Sequence, residues 1–461
     1  MGQQALLDWG DPIDVNATGT GALRPRIVIN GEGRPVVLWG RSGPNANLVA
    51  VGEGDAFGPA TQLSGPGWAP SVADWMGSGI AAHGNTVWVA MSALPEESRP
   101  QYVRRSDDGG LTWGDTLRVD PYDGLVSRFP SIALPHPDTP IVQYMQFTSG
   151  WNEPRHVVTR LSGDAFLEPV QVGTPFSEGE ACDCCPGQVV ADGARAVALY
   201  RNDVGHQRNI WAAASTDGGV TFPVGKEVDA TAWFINSCPA SGPAGHFVGD
   251  SIRYVWMSGA ENGFKVYLRS AHATDLEAGA QRLVHPGQPS GYAQNFPRIA
   301  GHGDTIGVVW EQNTLGAREI LFSWSVTGPA GLSVPDTVNV VLAGNQRTPD
   351  IAFADGAFHL IWSEMSTNQV RYRMARVMPF TGIAEQEQRP VVFWPDPATD
   401  RIQWSAEQWR TIEVFDGQGR LLHQGDARGG LLDVTAFPAG PCFVLLRDEV
   451  GMVARGRFIK F

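Results

Sequence analysis

The chain has little of what helices, membranes and nucleic-acid surfaces require. Helix-favouring runs of Ala, Leu, Glu and Lys are scarce across its 461 residues. No apolar run approaches the roughly 18–20 residues of a transmembrane helix. Basic runs are also missing: 34 Lys and Arg are dispersed against 48 Asp and Glu, for a net charge of −14. That balance argues against nucleic acid or an anionic membrane as a partner. The start, "MGQQALLDWG", has no basic segment followed by an apolar one, so a signal peptide is absent from this sequence. Either the protein stays inside, or a signal is removed before this point. Cysteine is rare too. Three of the five, Cys182, Cys184 and Cys185, crowd into "ACDCCPGQVV", and the others are Cys238 and Cys442.

Gly (55), Pro (33) and Trp (16) are abundant, and short Val/Ile/Trp runs alternate with Gly/Asp/Asn turns. This reads as all-β. One pattern recurs: an Arg/Pro start, an apolar strand, a Gly/Asp turn, then an apolar strand ending in Trp or Tyr. Copies are "RPRIVINGEGRPVVLWG" from Arg24, "GSGIAAHGNTVWVAMS" from Gly77, "RFPSIALPHPDTPIVQYMQ" from Arg128 and "CCPGQVVADGARAVALYRND" from Cys184. The rest begin at Cys238, Asn295 and Thr348. Seven copies at roughly 50–58-residue spacing predict a β-propeller, since units of four short strands must stack to bury their faces. Six blades is the alternative if one copy is degenerate. The seventh copy runs out after "QVRYRMARV", and "ALLDWGDPIDV" resembles a fourth strand. The N-terminal strand is therefore expected to close the last blade. The propeller is assigned to residues 1–378, a polar linker to 379–390 and a small β-sandwich to 391–461.

Two turns fit S-x-D-x-G-x-T-[WF]: Ser106, Asp108, Gly110, Thr112 and Trp113, and Ser215, Asp217, Gly219, Thr221 and Phe222. They resemble the Asp-box of sialidase-like β-propellers. The aspartate can bond hairpin amides while glycine supplies positive φ, so both are read as structural. The last 70 or so residues are similar to the C-terminal sorting domain of type IX secretion cargo. The pieces that carry this are "PDPATD", "VFDGQGRLL", "LDVTAFPAG", "FVLL" and "RFIKF", with departures at Asp396 (commonly Asn) and Cys442 (usually Tyr). The resemblance implies the type IX secretion machinery as a partner and a secreted or outer-membrane surface location.

In an exported protein disulfides persist. "CCP" and "SCP" occupy the same place in copies four and five, so Cys182, Cys184, Cys185 and Cys238 should meet at one funnel. Two disulfides, with Cys185 bridging to Cys238, are the favoured expectation. A thiolate metal site and a reactive thiol are the alternatives; no other cofactor is required. Cys442 reads as a small buried hydrophobe.

The predicted funnel carries Arg24, Arg128, Arg201, Asp203, Arg298 and Arg347, which suit an anionic substrate. The sialidase resemblance implies an arginine triad, a Tyr nucleophile with a Glu partner, and an Asp acid. "LRPRI" is a loose relative of the arginine-bearing segment of that family. By position Arg24, Arg201 and Arg298 supply the triad, Tyr292 the nucleophile, Glu311 its partner and Asp74 the acid. Seven-bladed polysaccharide lyases use His, Tyr and Arg, for which His156 or His206, Tyr200 or Tyr292, and Arg201 qualify. The sequence thus predicts a sialidase-like propeller acting on an acidic glycan or polysaccharide. A non-catalytic glycan binder or adhesin, a lyase, and a cysteine-based metal or redox protein are the alternatives.

Overall fold

A computed structural model describes residues 5–379 and 391–461, apart from positions 66, 96, 99, 262, 315, 406–407 and 450–452. The predicted linker thus lies almost wholly outside the described residues. The chain divides into two compact units, Met1–Pro379 and Phe380–Phe461. Among the described residues no helix is long and apolar enough to cross a membrane.

The first unit contains seven antiparallel sheets of four or five strands. Their innermost strands are Leu23–Ile29, Gly79–His83, Val126–Ala133, Gln188–Asp192, Ala244–Val248, Ala293–His302 and Gln346–Ala354. Each touches the next, and the last returns to the first, so the sheets form a closed ring of blades. The second strands carry buried apolar residues on both faces, as in Val36, Val37, Leu38 and Trp39, all almost fully buried. Both faces of a blade are therefore covered. Seven hydrophobic clusters fill the seven spaces between neighbouring blades. Ala5–Trp9 pairs with the far end of Gln369–Pro379, Ala5 opposite Pro379, so both ends of the propeller share one sheet. The second unit holds a four-stranded and a two-stranded sheet around Trp404, Trp409, Ile412, Val444 and Phe458. Cys442 is buried there and unbridged.

The two S-x-D-x-G-x-T turns form the same bonds. Asp217 accepts from the amides of Val220 and Thr221, at 3.1 and 2.9 Å, and from the Ser215 and Thr221 hydroxyls. Asp108 does the same with Leu111, Thr112 and Ser106. Desolvation opposes ionisation of Asp217, but these bonds outweigh it and hold the carboxyl at about 2. Gly109 bonds to Asn30 and Asn85, in the turns that follow the innermost strands. This turn therefore sits at the end of the ring opposite the start of those strands.

Four innermost strands share one irregularity. Arg24, Phe129, Phe296 and Thr348 have φ between 46° and 58°, each precedes a proline, and each marks a break in register with the second strand. Proline offers no N–H to the ladder, so a bulge there wastes no donor.

His156, a lyase candidate from the sequence, is enclosed, and so is His359. His156 is fully buried beside Gln143 and the Tyr200 ring, and burial pushes it down to about 3. His359, bonded to the Tyr372 hydroxyl, is pushed by burial to about 4. An unfolded histidine takes up its proton near pH 6.5, so the unfolded state binds more protons below that value. The stability is complete above about pH 6.5 and is lost as pH falls toward 4, at up to about 1.4 kcal/mol per pH unit for each histidine. Urea midpoints measured from pH 7.5 to 4.5 should fall with pH, and less steeply in His156→Gln. An identical slope in the variant would exclude His156 as a contributor.

Candidate functional site

The seven innermost strands enclose a central channel with a cavity of about 220 Å³, lined by residues of every blade, Arg24, Arg26, Arg298 and Asp350 among them. At the end where those strands begin, the bulges turn side chains over the mouth. Arg24 comes from blade one. Its guanidinium lies 4.6 Å from the Phe296 ring centre, and Arg347 of blade seven reaches the same ring at 6.0 Å. Arg24 is buried, and its Nε has no hydrogen-bond partner among the described residues. Burial first, then the charge of Arg298, pushes its guanidinium down to about 9; Glu311 and Asp74 pull the other way. Burial and Arg298 likewise hold Arg26 well below its ordinary range.

The acidic groups are arranged around these cations. Arg347 donates from Nη1 to Asp74 at 2.9 Å and from Nε to Glu311 at 3.4 Å. Glu311 is buried and also receives the Thr348 amide at 3.2 Å and lies 3.4 Å from Arg318. Arg298 stands 3.5 Å from Asp350, which accepts the Ile27 amide with its other oxygen. Five guanidiniums (Arg24, Arg26, Arg298, Arg318, Arg347) thus meet three carboxylates (Asp74, Glu311, Asp350). The mouth has a cationic excess in a chain of net charge −14. Guanidiniums held this way offer forked donors to a carboxylate or sulfate.

The structure brings together Arg24, Arg298, Arg347, Asp74 and Glu311 and separates the other candidates. Arg201 does not join the triad. It is fully buried and gives its donors to the carbonyls of Ser241, Arg208 and Met257, above the Trp233 ring. Asp203 pairs with Arg208 at 2.7 Å and accepts the His206 amide. Glu311 is not bonded to Tyr292; its oxygens are taken by two arginines and the Thr348 amide. Tyr200 and His156 are sealed in the blades, which removes them from a lyase site. Phe296, Thr348, Arg318 and Asp350 escaped sequence reading. The signal for three of them was the repeated residue-before-proline at the start of innermost strands, in "NFPR" and "RTPD".

The cysteines form two disulfides, but not with the expected partners. Cys184 bridges to Cys238, and Cys182 to Cys185. The Cys185 amide donates to the Cys182 carbonyl across a tight turn, which carries both side chains inward, while Cys184 faces the neighbouring blade's loop. The sulfurs of Cys182, Cys184 and Cys185 lie within 4.8 Å of one another. All three are engaged in disulfides, so thiolate coordination of a metal would require their reduction first.

No protein-family model matches the chain, and no curated protein matches its sequence. Solved structures do resemble it. An ulvan lyase of polysaccharide lyase family 25, bound to -[GlcA(1-4)Rha3S]-, matches 80% of this chain and 96% of its own, at 10% identity and a TM-score of 0.50. A protein of unknown function from Dyadobacter fermentans matches 80% and 99%, at 12% identity and a TM-score of 0.47. An alpha-L-arabinanase of Penicillium chrysogenum complexed with arabinobiose matches 82% and 99%, at 11% identity and a TM-score of 0.46. The likeness to the lyase supports a shared propeller fold. Identity this low shows fold and not activity.

Burial holds both Arg24 and Arg26 below their ordinary range, Arg24 at about 9. A guanidinium with a pKa near 9 is charged below that pH and loses its proton above it. Calorimetric affinity for a carboxylated sugar should therefore be flat from pH 7 to 8 and fall as pH rises through about 9. An affinity unchanged to pH 10 would remove Arg24 from anion binding.

Proposed function

We propose that this propeller acts on an acidic glycan, whose carboxylate or sulfate group docks on Arg24, Arg298 and Arg347 at the channel mouth. The observation that carries the reading is the convergence of these guanidiniums, from three blades, in an otherwise acidic chain. Asp74 and Glu311 stand beside them on Arg347. In a sialidase-like hydrolysis Asp74 protonates the leaving oxygen as the scissile bond breaks. Tyr292, the nucleophile that the sialidase resemblance implies, is not among the residues gathered at the mouth, where Glu311 is engaged by Arg347, Arg318 and the Thr348 amide. A panel of sialosides and uronate polymers separates the outcomes. New reducing ends mean hydrolysis, an ultraviolet-absorbing double bond means elimination, and binding without turnover means a lectin-like or adhesive role. For hydrolysis, Asp74→Asn should lower kcat by about 10²–10⁴-fold, and Arg24→Ala should raise KM more than kcat falls. Full activity in both variants would place the reaction elsewhere.

We also propose that the chain is exported and displayed or released through type IX secretion. The support is the pair of disulfides, which persist in oxidising compartments, and the sorting-domain resemblance of residues 391–461. Fractionation of the source cells should find the protein in the medium or outer membrane. Retention in the cytoplasm with free thiols would defeat this reading.

A further inference from the structure

Three features of the rim take no part in the anion mouth. The first is Arg128 of blade three. Its guanidinium lies over four aromatic rings, with centres at 4.3 Å (Phe129), 5.1 Å (Phe147), 5.2 Å (Trp151) and 5.4 Å (Trp75). The second is Trp151, at the tip of the hairpin between Ile141–Thr148 and Asn152–Ser162. Its φ is 64°, directly after Gly150 at 77°. A bulky residue in the left-handed region is a strained choice where Asn or Gly would be relaxed. The third is the cysteine loop. Asp183, between Cys182 and Cys184, accepts a bond on its carbonyl from Nη2 of Arg128 at 2.5 Å.

These features meet the mouth through a single loop. Asp74 pairs with Arg347, while the next residue, Trp75, packs edge-on against Phe129 at 5.7 Å. Trp75 and Trp151 are both partly exposed. We infer that Trp75, Arg128 and Trp151 form a second saccharide subsite beside the anion mouth, so that the substrate is an oligo- or polysaccharide and not a single sugar. The inference rests on the acidic-glycan reading above. The apolar C–H face of a pyranose packs on an indole ring, while guanidinium donors reach hydroxyls and carboxylates at the sugar's edge. The disulfides have a definite task in this arrangement. Cys184–Cys238 fastens the loop to the next blade and Cys182–Cys185 closes its turn, which fixes the carbonyl that holds Arg128. The anion mouth, built on blades one, six and seven, does not use that loop.

The test is calorimetry on the full chain with glucuronic acid and with a uronate tetrasaccharide. The wild type should bind the tetrasaccharide at least about tenfold more tightly. Trp151→Asn suits the left-handed backbone and so keeps the hairpin. It should reduce that preference to less than about twofold while leaving the monosaccharide affinity unchanged. Trp75→Ala should act alike, and so should reduction and alkylation of the cysteines. Equal binding of the two ligands by the wild type overturns the subsite and leaves the anion mouth standing. So does a full preference retained in both variants, or an equal loss of both ligands in them. No binding of either ligand by the wild type overturns the acidic-glycan reading, and the subsite with it.

Discussion

Each blade of this protein is apolar on both faces, and everything else follows from having to cover them. A single sheet of four short strands would leave two hydrophobic surfaces in water, so no blade is stable without two neighbours. Seven interfaces, each with its own cluster, satisfy that demand only because the first and last blades also meet, through Val15, Ile27, Trp39, Ile361 and Tyr372. The strand Ala5–Trp9 supplies the seventh blade's outer strand. Closure then brings seven strand starts around one axis, and that is where side chains from distant parts of the sequence become neighbours.

The bulges convert this geometry into chemistry. A regular strand alternates its side chains between faces. At Arg24, Phe129, Phe296 and Thr348 the extra residue re-aims a side chain or amide over the channel. Holding a non-glycine residue in the left-handed region costs on the order of 1–3 kcal/mol. Four such positions at one end of the ring are affordable because the surrounding interfaces fix the backbone on both sides. The opposite end carries the hydrogen-bonded Ser–Asp–Gly–Thr turns, which reinforce outer hairpins and leave the channel mouth untouched.

Much of the fold was legible because repetition is visible in a single chain. "RPRIVI", "RFPSIA", "NFPRIA" and "RTPDIAFA" mark the same strand in four blades. The mouth was legible in part. Arg24, Arg298 and Arg347 could be named because they stand near the starts of innermost strands, Asp74 because it lies in a long loop, and Glu311 because it lies towards the end of a second strand. What the pattern does not contain is depth. Arg201 lies towards the end of a second strand just as Glu311 does, yet it turns into the blade and bonds three carbonyls. Whether an arginine faces the channel or braces a loop depends on one register step, which alternation fixes only when the bulges are known. The cysteine pairing was misjudged for the same reason. The direction of a side chain in a tight turn is set by its amide bonds, here Cys185 to Cys182, and not by its spacing in sequence.

The ring's closing pair also sets a clock. Ala5 and its partner Pro379 stand at opposite ends of the propeller's stretch of chain. At about 5–20 residues per second, roughly 20–75 s separate the two. Throughout that interval the first blade presents an uncovered apolar face, and Ala5–Trp9 has no partner strand. The nascent chain is therefore an aggregation hazard for most of the propeller's synthesis.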